Sequence, residues 1–303
     1  MTTSNRTSKP NQNQKRRQGA AQKSQHRQKT TIRLLDHFTW KAGLVAVCAV
    51  LLLSVGLTYV FKPYTFRKAY RMIEKSIYKN PSTSDVVLPN NEMVGIDVSY
   101  YQENIDWENV SFHLHPITNT LTKDASSTKR KVDFVIAKAT EGITITDPKY
   151  AQNRKGAKEQ DILFGAYHFF SVTSDAKQQA LHFIKEAKLE KGDLVPVLDV
   201  EYQGRLSSSE LRKRVLVWLK TVTAHYGRKP IIYTYAKFHD EIFDTDEFAD
   251  YNFWMAHYGV DKPEHDCKFW QFTEEGVVVG IKGYVDIDIF FGDKVEIQEM
   301  LLK

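Results

Sequence analysis

Eight short β-rich runs, at residues 94–98, 134–139, 164–170, 195–201, 230–235, 253–258, 268–273 and 285–290, constrain the fold more than any other feature. Several are almost continuously apolar, the pattern of strands buried on both faces of a parallel sheet. Helical patterns separate the early runs. Residues 147–160 open on Asp-Pro, residues 174–189 carry Ala180, Phe183, Ile184 and Ala187 on one face, and residues 207–226 stop before Gly227. The later connections are too short for full helices. This alternation predicts an α/β fold, an irregular eight-stranded (β/α) TIM-like barrel, with an open doubly wound sheet as the alternative. No Gly-x-Gly-x-x-Gly follows any run, which removes support for a nucleotide-binding sheet.

Ahead of these runs the chain changes character. Residues 42–61 form an uncharged apolar stretch between Lys41 and Lys62. Twenty helical residues span roughly 30 Å, the hydrocarbon thickness of a bilayer. The stretch is longer than a signal h-region and ends without a small-x-small cleavage site, so an uncleaved transmembrane anchor is expected. Residues 1–41, poor in apolar side chains before the anchor, read as a disordered basic cytoplasmic tail. Residues 62–90 read as a stalk, with an amphipathic helix over 64–78 broken at Asn80-Pro81, and the folded domain is expected over 91–303. Lys/Arg flank the apolar stretch on both sides, and the further basic residues of the tail favour a cytoplasmic N-terminus with the folded domain outside the cell.

Charge follows the same division. The net +5 of the 303 residues hides 16 Lys/Arg against only Asp36 and Glu74 in residues 1–80, which is +14. The remaining 26 Lys/Arg against 35 Asp/Glu give −9 for residues 81–303. Basic charge confined to a membrane-flanking segment argues for anionic lipid and against nucleic acid. The two cysteines, Cys48 in the apolar stretch and Cys267, exclude a disulfide scaffold and a multi-cysteine metal site. Cys267 has no patterned His beside it and reads as a packed thiol.

Acids cluster where a barrel keeps its chemistry, at strand ends. Asp97, Asp199-Val200-Glu201, and Asp286 with Asp288 close three of the runs, and Tyr167-His168-Phe169 closes a fourth. Residues i and i+2 of a strand point to one face roughly 6–7 Å apart, so Asp199 and Glu201 can divide labour as an ionised group and a protonated acid. Neighbouring Asp97 and Asp286 would raise such an acid by like-charge repulsion. Asp-x-Glu alone is a weak signal, since Asp106-Trp107-Glu108 repeats it outside any run. A metal site from Asp97, Asp199, Asp286 and His168 lacks any His-x-His or His-Glu-x-x-His pattern, and no cofactor is expected. Aromatics including Tyr167, Phe169, Tyr233, Trp254 and Trp270 gather on the same runs and can stack on sugar rings or pack a core.

Taken in order, these segments resemble the glycoside hydrolase family 25 lysozymes. The matches are Gly95-Ile96-Asp97-Val98-Ser99 with Gln102, Phe134 to Gly142 ending Lys138-Ala139-Thr140-Glu141-Gly142, Gly165-Ala166-Tyr167-His168-Phe169, Val197 to Glu201, Pro230 to Thr234, Phe253-Trp254-Met255-Ala256, Trp270-Gln271-Phe272, and Val285 to Asp288. The resemblance implies cleavage of the β-1,4 bond between N-acetylmuramic acid and N-acetylglucosamine without a metal. It implies Glu201 as general acid, Asp199 as its partner assisting the substrate's own 2-acetamido group, and Asp97 and Asp286 as the other two acids. Tyr167, His168, Phe169, Tyr233, Trp254, Trp270, Gln271, Glu141 and Asp288 are the expected substrate-binding residues.

Two departures stand out. Residues 113–130 are longer and more polar than the usual first connection, as a flexible loop or a reshaped groove. Asp288 stands where many members have Asn and is expected to add negative charge. Family members often carry wall-binding repeats. None follows here up to Lys303, and the anchor is expected to supply the localisation. Expected partners are therefore peptidoglycan strands, the membrane through residues 42–61, and envelope proteins. A glycan-binding protein that cuts slowly or not at all, and a hydrolase of another N-acetylated glycan, are the alternatives.

Overall fold

The computed structural model describes residues 83–90, 92–124 and 126–303. The expected tail, apolar anchor and most of the stalk lie outside the described residues, and no described helix is long and apolar enough to cross a membrane. In chain order the strands are β1 (Thr83–Val87), β2 (Met93–Val98), β3 (Phe112–Leu114), β4 (Thr120–Thr122), β5 (Thr128–Arg130), β6 (Phe134–Glu141) and β7 (Ile145–Thr146). They continue as β8 (Leu163–Phe169), β9 (Val197–Asp199), β10 (Ile231–Tyr235), β11 (Phe253–Ala256), β12 (Phe269–Gly276) and β13 (Val285–Phe290).

Each of the eight expected runs holds a strand, and these close on themselves in the order β2, β6, β8, β9, β10, β11, β12, β13 and back to β2. The run 195–201 is strand only over Val197–Asp199, so Glu201 lies just beyond the strand that was expected to align it with Asp199. Pairing is parallel from β2 round to β12. The last strand breaks the pattern, because β13 runs antiparallel to both β12 and β2. The cause is the connection: only residues 277–284 separate β12 from β13, and a parallel return needs a dozen residues or more. Asp286 therefore begins its strand instead of closing it. It still reaches the same rim as the other acids, since it pairs directly with Asp97.

Among the described residues, three helices of ten or more residues pack on the outside: α1 (Tyr150–Glu159), α2 (Ala176–Ala187) and α3 (Ser208–Tyr226). Side chains start two of them, with Asp175 accepting from the Gln178 amide and Ser207 from the Glu210 amide. Gly227, at φ +69°, ends α3 in the left-handed conformation that glycine adopts without strain. The Asp-Pro signal at 147 does not cap α1. Asp147 instead accepts from the Tyr100 and Lys149 amides, and the helix begins at Tyr150. Inside α1, Gly156 lets the Trp107 ring approach so closely that an added Cβ would lie 2.1 Å from it.

The expected stalk and insertion both contain structure. β1 lies ahead of the boundary anticipated at 91, and it pairs with β4 in a small sheet of order β1-β4-β3-β5. Residues 113–130 therefore contain most of three short strands, held by β-pairing that their polar sequence does not advertise. Lys123 Nζ donates to the Ile281 carbonyl at 2.9 Å, and Ser111 pairs with Val279. Both contacts fix the small sheet to the β12–β13 connection, at the rim where Asp286 stands.

Candidate active site

Alternate positions along each strand face the barrel interior, and the interior has two layers. At the end where β6 and β12 begin, Phe134, Phe269 and Phe290 meet edge to face or tilted, with centroids 5.3 and 5.0 Å apart. Two residues back along β13 from Phe290, the same face carries Asp288, and two further back Asp286. The other end of the barrel is thus polar.

Gln271 organises that end. Its Nε2 donates to Asp97 Oδ2 at 2.6 Å, while its Oε1 accepts from the Tyr233 and Tyr258 hydroxyls at 2.9 and 2.5 Å. Trp254 Nε1 donates to Asp288 Oδ1 at 2.9 Å, and its ring meets Tyr233 edge to face at 4.6 Å. On the rim, Ser99 and Gln102 cap a short 3-10 turn just after Asp97. The Asp199 to Glu201 segment is pinned from both sides, with Phe170 N donating to the Asp199 carbonyl and Val200 N to the Tyr233 carbonyl. Asp199 is buried and Glu201 half-buried.

The electrostatics follow from putting several acids in a nearly dry space. Burial, then the Glu201 charge, pushes the Asp199 carboxyl well above the ordinary range, with Asp97 and Glu141 adding to the effect and Lys138 opposing it. Asp288 is fully buried and is likewise pushed far up, by desolvation and by Asp97 and Asp286, against the Trp254 hydrogen bond. Its Oδ2 has no hydrogen-bond partner. Burial and the neighbouring acids thus work against the extra negative charge expected of Asp288 and favour its neutral form, which has the shape of an Asn side chain. Tyr167 and Tyr233 are held in the phenol form by burial first and by the surrounding acids second.

Lys138, which the sequence argument passed over, is the cation among these acids. Its Nζ pairs with Glu141 Oε2 at 2.6 Å and lies 4.9 Å from the Phe169 ring centroid, and Phe169 stacks on Tyr202. The signal was available, since Lys138 is the one charged residue in the apolar run 134–139 and a charge is not buried there without a partner. Glu141 is thus engaged by Lys138 within the protein.

Two expected binding residues are elsewhere. His168 points out of the barrel, opposite to Tyr167, where its ring stacks on Trp218 at 5.6 Å and bonds Thr140 and Gln179. Burial lowers it to about 3, so it is a neutral core residue, and it cannot join Asp97, Asp199 and Asp286 in a metal set. Trp270 alternates with Gln271, donates to the His257 carbonyl and stacks on Phe291. Both follow from strand parity. The chance Asp-x-Glu at 106–108 belongs to a 3-10 turn, where Asp106 accepts from Asn109. Cys267 is buried, which pushes its thiol up to about 12 and leaves no thiolate for attack.

The chain thus forms a closed eight-stranded barrel with one antiparallel strand and acids at its mouth, groups suited to acid–base hydrolysis. The chain belongs to the glycosyl hydrolases family 25, whose model matches residues 96–281, and it is a glycoside hydrolase. It is 34% identical over 274 residues to the uncharacterized protein YegX of Escherichia coli O6:H1, covering 85% of this chain and 93% of that one. It is 30% identical to lysozyme M1 of Streptomyces globisporus, over 65% of this chain and 67% of that one. Among solved structures, a family 25 glycosyl hydrolase from Bacillus anthracis superposes with a TM-score of 0.60 at 26% identity, covering 72% of this chain and 97% of the other.

Proposed function

We propose that this hydrolase is an N-acetylmuramidase that cleaves the β-1,4 bond between N-acetylmuramic acid and N-acetylglucosamine in peptidoglycan. The observation that carries the reading is the Asp199/Glu201 pair, buried and half-buried at the polar mouth, with burial and mutual repulsion keeping a proton on Asp199 above the ordinary range. The name of the Streptomyces relative supports the substrate class.

The chemistry needs one proton and one negative charge on opposite sides of the anomeric carbon. When substrate fills the mouth, the pair's proton goes with Glu201, the less buried of the two, and protonates the leaving glycosidic oxygen. The charge stays on Asp199, which accepts from the 2-acetamido N–H while the acetamido oxygen attacks the anomeric carbon and the C–O bond breaks. Water then opens the resulting oxazolinium ring, and Glu201 takes back a proton. Asp97, held by Gln271, and Asp286, paired with it across the strands, stabilise the positive charge that develops on the sugar. Tyr167, Phe169, Tyr233 and Trp254 shape the mouth.

Residues 42–61 anchor the enzyme in the cytoplasmic membrane in this reading, with residues 1–41 inside the cell and the barrel outside, where peptidoglycan lies. Envelope proteins are its expected neighbours there. The test is product analysis: the full chain acting on purified peptidoglycan should create new reducing N-acetylmuramic acid ends, identified by mass spectrometry after borohydride reduction. Reducing N-acetylglucosamine ends, or intact strands bound to folded protein, would overturn it.

A further inference from the structure

A second constellation stands away from the acids of the mouth. After β10 the chain makes a short helical turn, Ala236–Phe238, and runs into a π-helical turn, His239–Phe243. Such π turns are rare and concentrate at functional sites. His239 packs edge to face on Phe253 at 4.7 Å, and its ring lies 4.6 Å from that of His265, which sits in the segment between β11 and β12. Asp240 lies between them. Its Oδ1 is 2.8 Å from His265 Nε2 and 3.6 Å from His239 Nδ1, the latter beyond hydrogen-bond reach.

We infer that His239 Nδ1, His265 Nε2 and an Asp240 carboxylate oxygen bind a borderline divalent cation, Zn2+ before the harder Mg2+ or Ca2+. Three observations carry this. The three donor atoms lie within 4.8 Å of one another. Zinc bonds of about 2.0–2.2 Å put neighbouring ligand atoms about 3.3–3.5 Å apart, so small side-chain adjustments complete the site. His239 Nδ1 is buried and has no hydrogen-bond partner, a state that leaves a ligand atom poised and otherwise carries a penalty. Exposure is graded in the useful sense: the His239 and His265 side chains are 12% and 26% exposed and Asp240 55%, so an ion enters from solvent and retains a water-filled fourth position. Two imidazoles and one carboxylate suit zinc, nickel or copper and do not make the all-oxygen shell that calcium and magnesium require.

The ion would tie the turn after β10 to the 257–268 segment. That segment carries Tyr258, whose hydroxyl reaches Gln271 beneath the acids. The cation is thus placed to hold a wall of the groove.

Zn2+ titration of the chelator-stripped full chain, read by competition with a chromogenic chelator, tests this. One saturable site is expected whose affinity falls at least about 100-fold in His265→Ala and in His239→Gln, since even second-layer changes at zinc sites cost about 10–100-fold. Co2+ in place of Zn2+ should give the visible absorption of a nitrogen- and oxygen-ligated site, lost in both variants. Circular dichroism establishes that the variants are folded, and the more exposed His265→Ala decides the matter if His239→Gln is not. Zinc binding unchanged in folded His265→Ala, or no saturable binding by the wild-type chain, would overturn the inference.

Discussion

The two layers inside one barrel are made by the same strands and obey opposite rules. On β13, Phe290 at one end meets Phe269, which in turn meets Phe134, whereas Asp288 and Asp286 at the other crowd against Asp97. On β12, Phe269 lies in the apolar layer and Gln271, two residues on, in the polar one. The lower layer gains from every atom it removes from water. The upper layer holds acids where desolvation and repulsion both disfavour their charge. The difference teaches that the barrel's stability comes from the phenylalanine end, which lets the other end keep groups arranged for chemistry.

Substitutions that cross this division should separate stability from activity, and the largest effect belongs to the acid at the mouth. Glu201→Gln should lower turnover on peptidoglycan by about 10²–10⁴, the range of a general acid, with the melting temperature little changed. Phe269→Ala, in the opposite layer, should destabilise the fold by about 3–5 kcal/mol in denaturant unfolding. Gly156→Ala sharpens the contrast from outside the barrel. Alanine ordinarily favours a helix, but here its Cβ meets Trp107, so a loss of about 1–3 kcal/mol is expected in place of a gain.

The smallest effect is a matter of pH. The folded-state value of Asp288 lies above its ordinary 3.8, so the folded protein holds this proton more tightly than the unfolded chain does. The stability it contributes is full below about 3.8 and is lost as pH rises through the raised folded value. Asp288→Asn keeps the shape without the ionisation. It should match the wild type near pH 3 and melt increasingly higher as the pH rises above about 3.8, levelling off beyond that raised value, which melting curves across pH would show.

How much of this was legible depended on which physical signal each feature leaves in the sequence. The eight strands announced themselves by apolar β-rich runs, α2 by the apolar face of Ala180, Phe183, Ile184 and Ala187, and α3 by its stop before Gly227. Strand direction leaves no compositional mark, so the reversal of β13 was hidden except in the shortness of residues 277–284. Parity separates Tyr167 from His168 and Gln271 from Trp270, yet motif matching pooled all four into one site. The small sheet of β1, β3, β4 and β5 escaped because its strands are short and polar, and their pairing is set by partners distant in sequence. Lys138 was overlooked because an acid-centred search ignores the cation that makes such a cluster tolerable.

One measurement tests the division most directly: melting temperature and peptidoglycan turnover of Asp199→Asn, measured on the same preparation at pH 7. Removing a buried acid crowded by Glu201, Asp97 and Glu141 should raise the melting temperature while turnover collapses. A lower melting temperature, or turnover close to that of the wild type, would contradict the claim that this end of the barrel is arranged for chemistry at the expense of stability.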